Sequence, residues 1–212
     1  MNRFLSAIIM IFLYLTSLCL AEQRYLPMKD TSAFKTKLET ATKSVNSIKS
    51  DFVQEKNLSA LSEKIISKGK FYFKKNNLLR WEYVKPFKYL IVFNDTRITI
   101  KDEGKVSQFD MKSSELFGKV NDIILRSIRG DVLRNKDFSY QFFESEKYFQ
   151  LRMFPLQKSI KVLFRQINIS FDKKDYSVSR LELIEPSGDF TKIDFSGKKF
   201  NETIPEEIFI IK

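Results

Sequence analysis

Side chains able to do covalent chemistry are scarce in this sequence. Histidine is absent, and cysteine occurs once, at Cys19. Cys–His and Ser–His–Asp nucleophilic sites are excluded, as are zinc sites built from histidine or cysteine. Carboxylates such as Asp102-Glu103 and Glu185 remain, but they fall at turns and on the surface, where solvated charges are expected. An enzyme is therefore not the reading, and no cofactor is expected. The unusual chemistry is apolar. Residues 69–93 read GKFYFKKNNLLRWEYVKPFKYLIVF, and phenylalanine occurs 21 times in the chain. Rings at that density serve either a dense core or a surface kept greasy for a ligand that is not protein.

The elements that would position those rings alternate. Phe71 and Phe73 share one face of a strand, and Leu79, Trp81 and Tyr83 share one face of the next. Lys74, Arg80 and Glu82 fall on the other face, so one face is wet and one is apolar. Strands are expected near 51–57, 64–75, 78–84, 88–94, 96–102, 105–110, 138–144, 147–153, 166–172, 177–185 and 189–197. Turns come at Asn76-Asn77, Lys85-Pro86, Asn94-Asp95, Asp102-Glu103-Gly104 and Pro186-Ser187-Gly188-Asp189.

Two stretches break that period. Over 31–50, Phe34, Leu38, Ala41, Val45 and Ile48 make one helical stripe, with Thr31 or Ser32 as its cap. Over 113–132, Leu116, Phe117, Val120, Ile123, Ile124 and Ile128 make a wide apolar band that Gly130 stops. A short third helix is expected within 156–165, and the tail IPEEIFIIK is expected to add a strand or a clamp. The result is one mostly-β domain of about ten or eleven antiparallel strands with two or three helices. Its apolar face either fills itself or stays partly open under the helices; periodicity does not separate the two.

The N-terminus reads as a secretory signal peptide. Arg3 is the positive start, Phe4 to Leu15 the apolar run, and Cys19-Leu20-Ala21 the small-residue end, with cleavage expected after Ala21. An uncleaved anchor is the alternative. Bulky Leu18 argues against a lipidated Cys19. Residues 22–212 would then form one exported domain without disulfides, held by its core. Without the leader the formal charge is +10. The lysines are evenly spread, with no arginine-rich block, which reads as a solvated basic surface and not as a nucleic-acid site.

Phe52-x-Gln54, GKFYFKKNNLLRWEY, Pro86, the YLIV strand before an Asn-Asp turn, EPSGDFTKIDF and the closing IPEEIF, taken in order, resemble the periplasmic outer-membrane lipoprotein carrier family, LolA. The resemblance covers nearly all of the chain after the leader and is most specific over Gly69 to Val92. It implies an unclosed antiparallel barrel whose apolar cavity, under a helical lid, takes the acyl chains of lipoproteins leaving the inner membrane. It implies acylated lipoproteins as cargo, an inner-membrane releasing transporter as a partner, delivery to the outer membrane or to a receptor there, and a periplasmic location; a monomer is expected. Leu79 and Trp81 match the family's apolar positions at the cavity and its mouth. With Phe52, Phe71, Phe73, Tyr83, Leu90 and Val92 they form the expected cavity. Phe34, Leu38, Phe117, Val120, Ile124 and Ile128 form the expected lid. Lys75 falls where better-known members have an arginine tying strand to lid, and Asn76 replaces the proline after it. Lysine keeps the charge but loses the planar fork, so any latch there is looser. A binding module or sensor for another lipid on the same fold is the alternative.

Overall fold

The computed structural model describes residues 24–61, 63–94, 96–111 and 115–211. The expected signal peptide, 1–21, lies outside them. In chain order come β1 (Leu26–Pro27), α1 (Thr31–Lys43), β2 (Ser47–Asn57), β3 (Ile65–Lys74), β4 (Leu78–Lys85), β5 (Tyr89–Asn94), β6 (Arg97–Asp102) and β7 (Lys105–Asp110). Then follow α2 (Glu115–Arg129), β8 (Phe138–Glu144), β9 (Tyr148–Pro155), α3 (Lys158–Lys161), β10 (Gln166–Asp172), β11 (Val178–Ile184) and β12 (Phe190–Phe200). Single 3-10 turns occupy Val132–Arg134 and Glu206–Phe209.

The strands make one open sheet of 12, in the order β1-β8-β9-β10-β11-β12-β2-β3-β4-β5-β6-β7. Each pairing is antiparallel. The expected unclosed half-barrel under helices is the fold found; the extra strand is β1, two residues paired with Phe143 and Glu144. Paired strands are consecutive in sequence except at two places: β1 pairs with β8, and β12 meets β2, which joins the two halves of the chain.

α1 starts at Asp30, whose carboxylate accepts from Ala33 N–H at 2.9 Å, satisfying one of the free donors of the first turn. It stops at Lys43, short of the expected 50, so Ile48 is a strand residue and not part of a helical stripe. The cause is remote in sequence. Asn201 accepts from Asn46 N–H at 2.7 Å and donates from its side-chain amide to Ser44 O at 3.1 Å. It thereby caps the end of α1 and starts β2. α2 ends at Gly130, with φ of 73°, and Asp131 N–H donates back to Arg126 O at 3.0 Å. That is the six-to-one bond of a left-handed helix stop, which favours glycine. The third helix is a single turn over Lys158–Lys161 that buries Ile160.

The core divides by sheet face. The large cluster lies on the concave side and gathers Phe52, Phe71, Leu79, Trp81, Ile124 and Ile128, among others. A small cluster of Val92, Ile204 and Phe209, with Leu78 and Leu90 against it, lies on the other face under the C-terminal segment. There the tail forms the 3-10 turn and not a strand. Arg80 Nη1 holds it by donating to Ile208 O at 2.6 Å, and Lys74 pairs with Glu206 at 3.0 Å.

Candidate lipid-binding lumen

Four neighbouring strands supply the rings of the concave face. Phe71 on β3 lies 4.7 Å from Trp81 on β4, centroid to centroid, and Phe52 on β2 lies 5.2 Å from Trp81 and 5.0 Å from Tyr83. Phe195 on β12 completes the group, 5.6 Å from Phe71 and 5.8 Å from Trp81. The pairs are tilted or edge-on, the arrangement ring quadrupoles favour. Gly69 makes this possible: a Cβ there would stand 2.6 Å from the Phe52 ring and 2.2 Å from Glu82 O. Without one, the ring of its cross-strand partner Phe52 occupies the space a side chain at position 69 would take.

α2 roofs this group. Ile123, Ile124, Leu125 and Ile128 are buried, and Phe117 and Val120 pack against the same cluster from half-buried positions. The Leu116 side chain lies outside the described residues. Two spaces remain beneath the roof. A mouth cleft of about 220 Å³ is lined by Gln54, Trp81, Tyr83, Phe117 and Val120 among others. A smaller cavity of about 40 Å³ lies deeper, between Phe71, Ile124, Ile128, Ile169 and Phe195, room for roughly three waters. Ile124 borders both. Ser127, Ile128 and Ser177 connect the deep cavity to a third space of about 190 Å³ that opens beside Thr42, Ser44 and Tyr176.

Polar groups are few and mostly satisfied. Tyr83 donates from its hydroxyl to Gln54 Oε1 at 2.9 Å. Burial, with Tyr89 beside it, pushes its phenol up to about 12, so it stays neutral and donating at physiological pH. Lys56 and Glu185 also border the mouth cleft. Asp102 and Glu103 are exposed in the β6–β7 region. Among the described residues no three His, Cys, Asp or Glu side chains gather to hold a metal.

The residues expected in the site separate by geometry. Phe52, Phe71, Phe73, Leu79, Trp81 and Tyr83 lie in the concave cluster. Leu90 and Val92 do not: they face the opposite side, under Ile204 and Phe209. β5 presents Ile91 and Phe93 inward instead, because successive side chains on a strand alternate. Leu79 lies deep and borders neither the cleft nor the cavity, whereas Trp81 and Tyr83 stand at the mouth. Ile124 and Ile128 belong to the roof. Phe34 and Leu38 are buried under α1, where Phe34 meets Phe149 at 5.0 Å and Phe171 at 5.8 Å. α1 is thus seated on the β9–β10 half, and α2 covers the ring group. Lys75 is exposed, and its backbone N–H donates to Asn46 O at 2.8 Å. The side-chain bond from α2 to that turn runs from Arg129 Nη1 to Asn77 Oδ1. Phe195 is a lumen residue outside the expected set, although its period-two spacing with Ile193 marks it.

No helix among the described residues is long and apolar enough to cross a membrane. No curated protein sequence matches the chain. Solved structures do. A LolA superfamily protein from Nitrosomonas europaea matches with a TM-score of 0.44 at 13% identity, over 84% of this chain and 97% of that one. An uncharacterized conserved protein from Thermus thermophilus gives 0.52 at 9%, over 85% and 93%. MucB gives 0.50 at 15%, over 87% of this chain and 64% of MucB, so the chain spans just under two thirds of that protein. The last two likenesses support the fold. The model of the outer membrane lipoprotein carrier protein LolA family matches residues 43–212, and with the half-barrel, the ring-lined lumen and the helical roof in place, the chain belongs to the LolA family.

Proposed function

We propose that this protein carries acylated lipoproteins through the periplasm, from the inner membrane to the outer, by holding their acyl chains under α2. The observation that carries this reading is the lumen itself. Rings from β2, β3, β4 and β12 face an amphipathic helix across a small, partly open apolar space. Each acyl methylene removed from water contributes about 0.8 kcal/mol, so a long chain needs a complete apolar cover. The deep cavity is too small for such a chain. Loading therefore displaces α2, and the work of opening the roof lowers the net affinity enough for release. Lys75 is not needed as a latch here; Arg129 and Asn77 take that role. An inner-membrane releasing transporter would supply the cargo and an outer-membrane receptor would take it, with the carrier acting as a monomer exported by its leader.

The test uses residues 22–212 purified from the periplasm, incubated with inner-membrane vesicles that hold a tagged lipoprotein and the releasing transporter. Carriage predicts soluble complexes of one carrier with one lipoprotein. Lipoprotein retained on the vesicles at every carrier concentration contradicts it. A second reading, a module that binds a different lipid on the same fold, draws on Ser50 and Lys198, two polar groups in the lumen wall.

A further inference from the structure

The deep cavity has one polar corner. Ser50, on β2, is only 7% exposed, and its hydroxyl has no hydrogen-bond partner among the described residues. The β2–β12 register shifts at this point: Ser196 pairs with Asp51 and Lys199 with Lys49, so Gly197 and Lys198 together oppose Ser50. That is a bulge, one residue more on β12 than on its partner, and Gly197 takes a φ of 59° within it. Bulges re-aim side chains, and this one turns Lys198 into the wall of the same cavity as Ser50.

The Lys198 ammonium has no ion-pair partner among the described residues. It donates to the hydroxyls of Ser177, at 2.5 Å, and Ser179, at 3.1 Å, and over a longer 3.5 Å to Val178 O. The carboxylates whose charge acts on it are Asp175 and Asp172. Asp175 is occupied by the N–H and hydroxyl of Ser177, and Asp172 by Lys174 N–H. Desolvation pushes the ammonium below the ordinary lysine range. A half-buried cation held by two hydroxyls and a carbonyl but by no carboxylate, with a buried unpartnered hydroxyl in the same wall, is a polar corner that lacks an anion.

We propose that Lys198 and Ser50 form a head-group site for a single-chain anionic lipid, a long-chain fatty acid, whose carboxylate they bind while its tail runs under α2. The carboxylate accepts from both donors and is the counter-ion that Lys198 lacks. The tail follows Phe71 and Ile124 toward Trp81 at the mouth, and the opening beside Thr42 and Tyr176 keeps the head near water. This rests on the reading that the lumen takes acyl chains, but it adds a polar end and a fixed direction.

The experiment measures displacement of an apolar fluorescent dye from residues 22–212 by palmitate, by its methyl ester, by lysophosphatidylglycerol and by a triacylated lipopeptide. Palmitate should displace dye at least tenfold better from wild type than from Lys198→Met, with Lys198→Arg restoring most of the difference and Ser50→Ala losing a smaller part. The methyl ester should not distinguish wild type from Lys198→Met. Equal dependence of lysophosphatidylglycerol on Lys198 supports the anionic-head site and assigns its source to a phospholipid. Palmitate displacing equally from wild type and Lys198→Met, or not at all, overturns the proposal. Lipopeptide displacement in that case leaves the carrier reading standing, and its absence removes both.

Discussion

Arg129, in the last turn of α2, donates from Nη1 to Asn77 Oδ1 in the β3–β4 turn across 3.0 Å. The bond joins the end of the roof to the strands that carry Phe71, Phe73, Leu79 and Trp81. It is solvent-exposed, and such a bond contributes about 1 kcal/mol or less. Asn77 can accept it because it sits in a tight turn with φ of 62°, next to Asn76 with φ of 75°, a conformation asparagine tolerates well.

Arg129→Ala should therefore favour the open roof by roughly 1 kcal/mol, about a fivefold change in population. Stopped-flow dye binding is expected to speed up severalfold while Tm falls by only a few degrees. Asn77→Gly, which removes the acceptor without straining the positive φ, should match it in binding rate, and the double variant should add little, since both remove the same bond. Lys75→Ala should change neither readout.

Leu79 and Phe117 should respond oppositely to charge. Leu79 is 0% exposed, deep in the concave cluster, so Leu79→Glu places a carboxylate where water does not reach and should prevent folding or cost several kcal/mol. Phe117 borders the mouth at a half-buried position. Phe117→Glu should keep a folded circular dichroism spectrum and lose most lipopeptide binding.

The two sheet faces should separate stability from binding. Val92→Ala removes packing under Ile204 and Phe209 and should cost about 2 kcal/mol in urea unfolding. Dye affinity should stay within twofold of wild type. Ile91→Ala, on the other face of the same strand, should change both.

Gly130 is a steric hinge between the helices. A Cβ there would meet Thr42 Oγ1 at 2.2 Å, and Thr42 Oγ1 lies 3.0 Å from Arg129 O. Gly130→Ala, strained by its positive φ as well, should destabilise by about 1 kcal/mol or more and pull α2 from α1. Faster hydrogen exchange confined to 115–130 is the expected sign.

Lys198 should couple stability to pH. Its folded pKa lies below the unfolded value near 10.5 because of burial, so the unfolded chain holds the extra proton between those two values. Stability then rises with pH across that window, and at neutral pH the charged group weakens the fold. Lys198→Met should raise Tm at pH 7, and the gain should shrink as pH climbs toward 10.5. A loss of palmitate binding by this more stable variant would not be a folding defect.

Much of this site is legible in the sequence, and the parts that are not share a cause. On β3 and β4 a strict period of two puts Phe71, Phe73, Leu79, Trp81 and Tyr83 on one face without reference to anything distant. β5 reads YLIVF, apolar on both faces, and alternation cannot say which is inner. Its outer face is set by Ile204 and Phe209, more than a hundred residues later. The end of α1 is equally non-local: Val45 and Ile48 continue the helical spacing, and only Asn201 reveals the break. Lys198 is hidden among neighbouring lysines, where Gly197 is the one sign of a bulge.

The central claim is that acyl chains reach the lumen by moving α2 away from the β3–β4 turn. Asn77→Cys with Arg129→Cys, made in residues 22–212, which contain no other cysteine, allows those two positions to be joined with a short bismaleimide. The account predicts that the joined protein, correctly folded, fails to take up lipopeptide, while the unjoined double variant takes it up at least as fast as wild type. Uptake by the joined protein at the unjoined rate would contradict it.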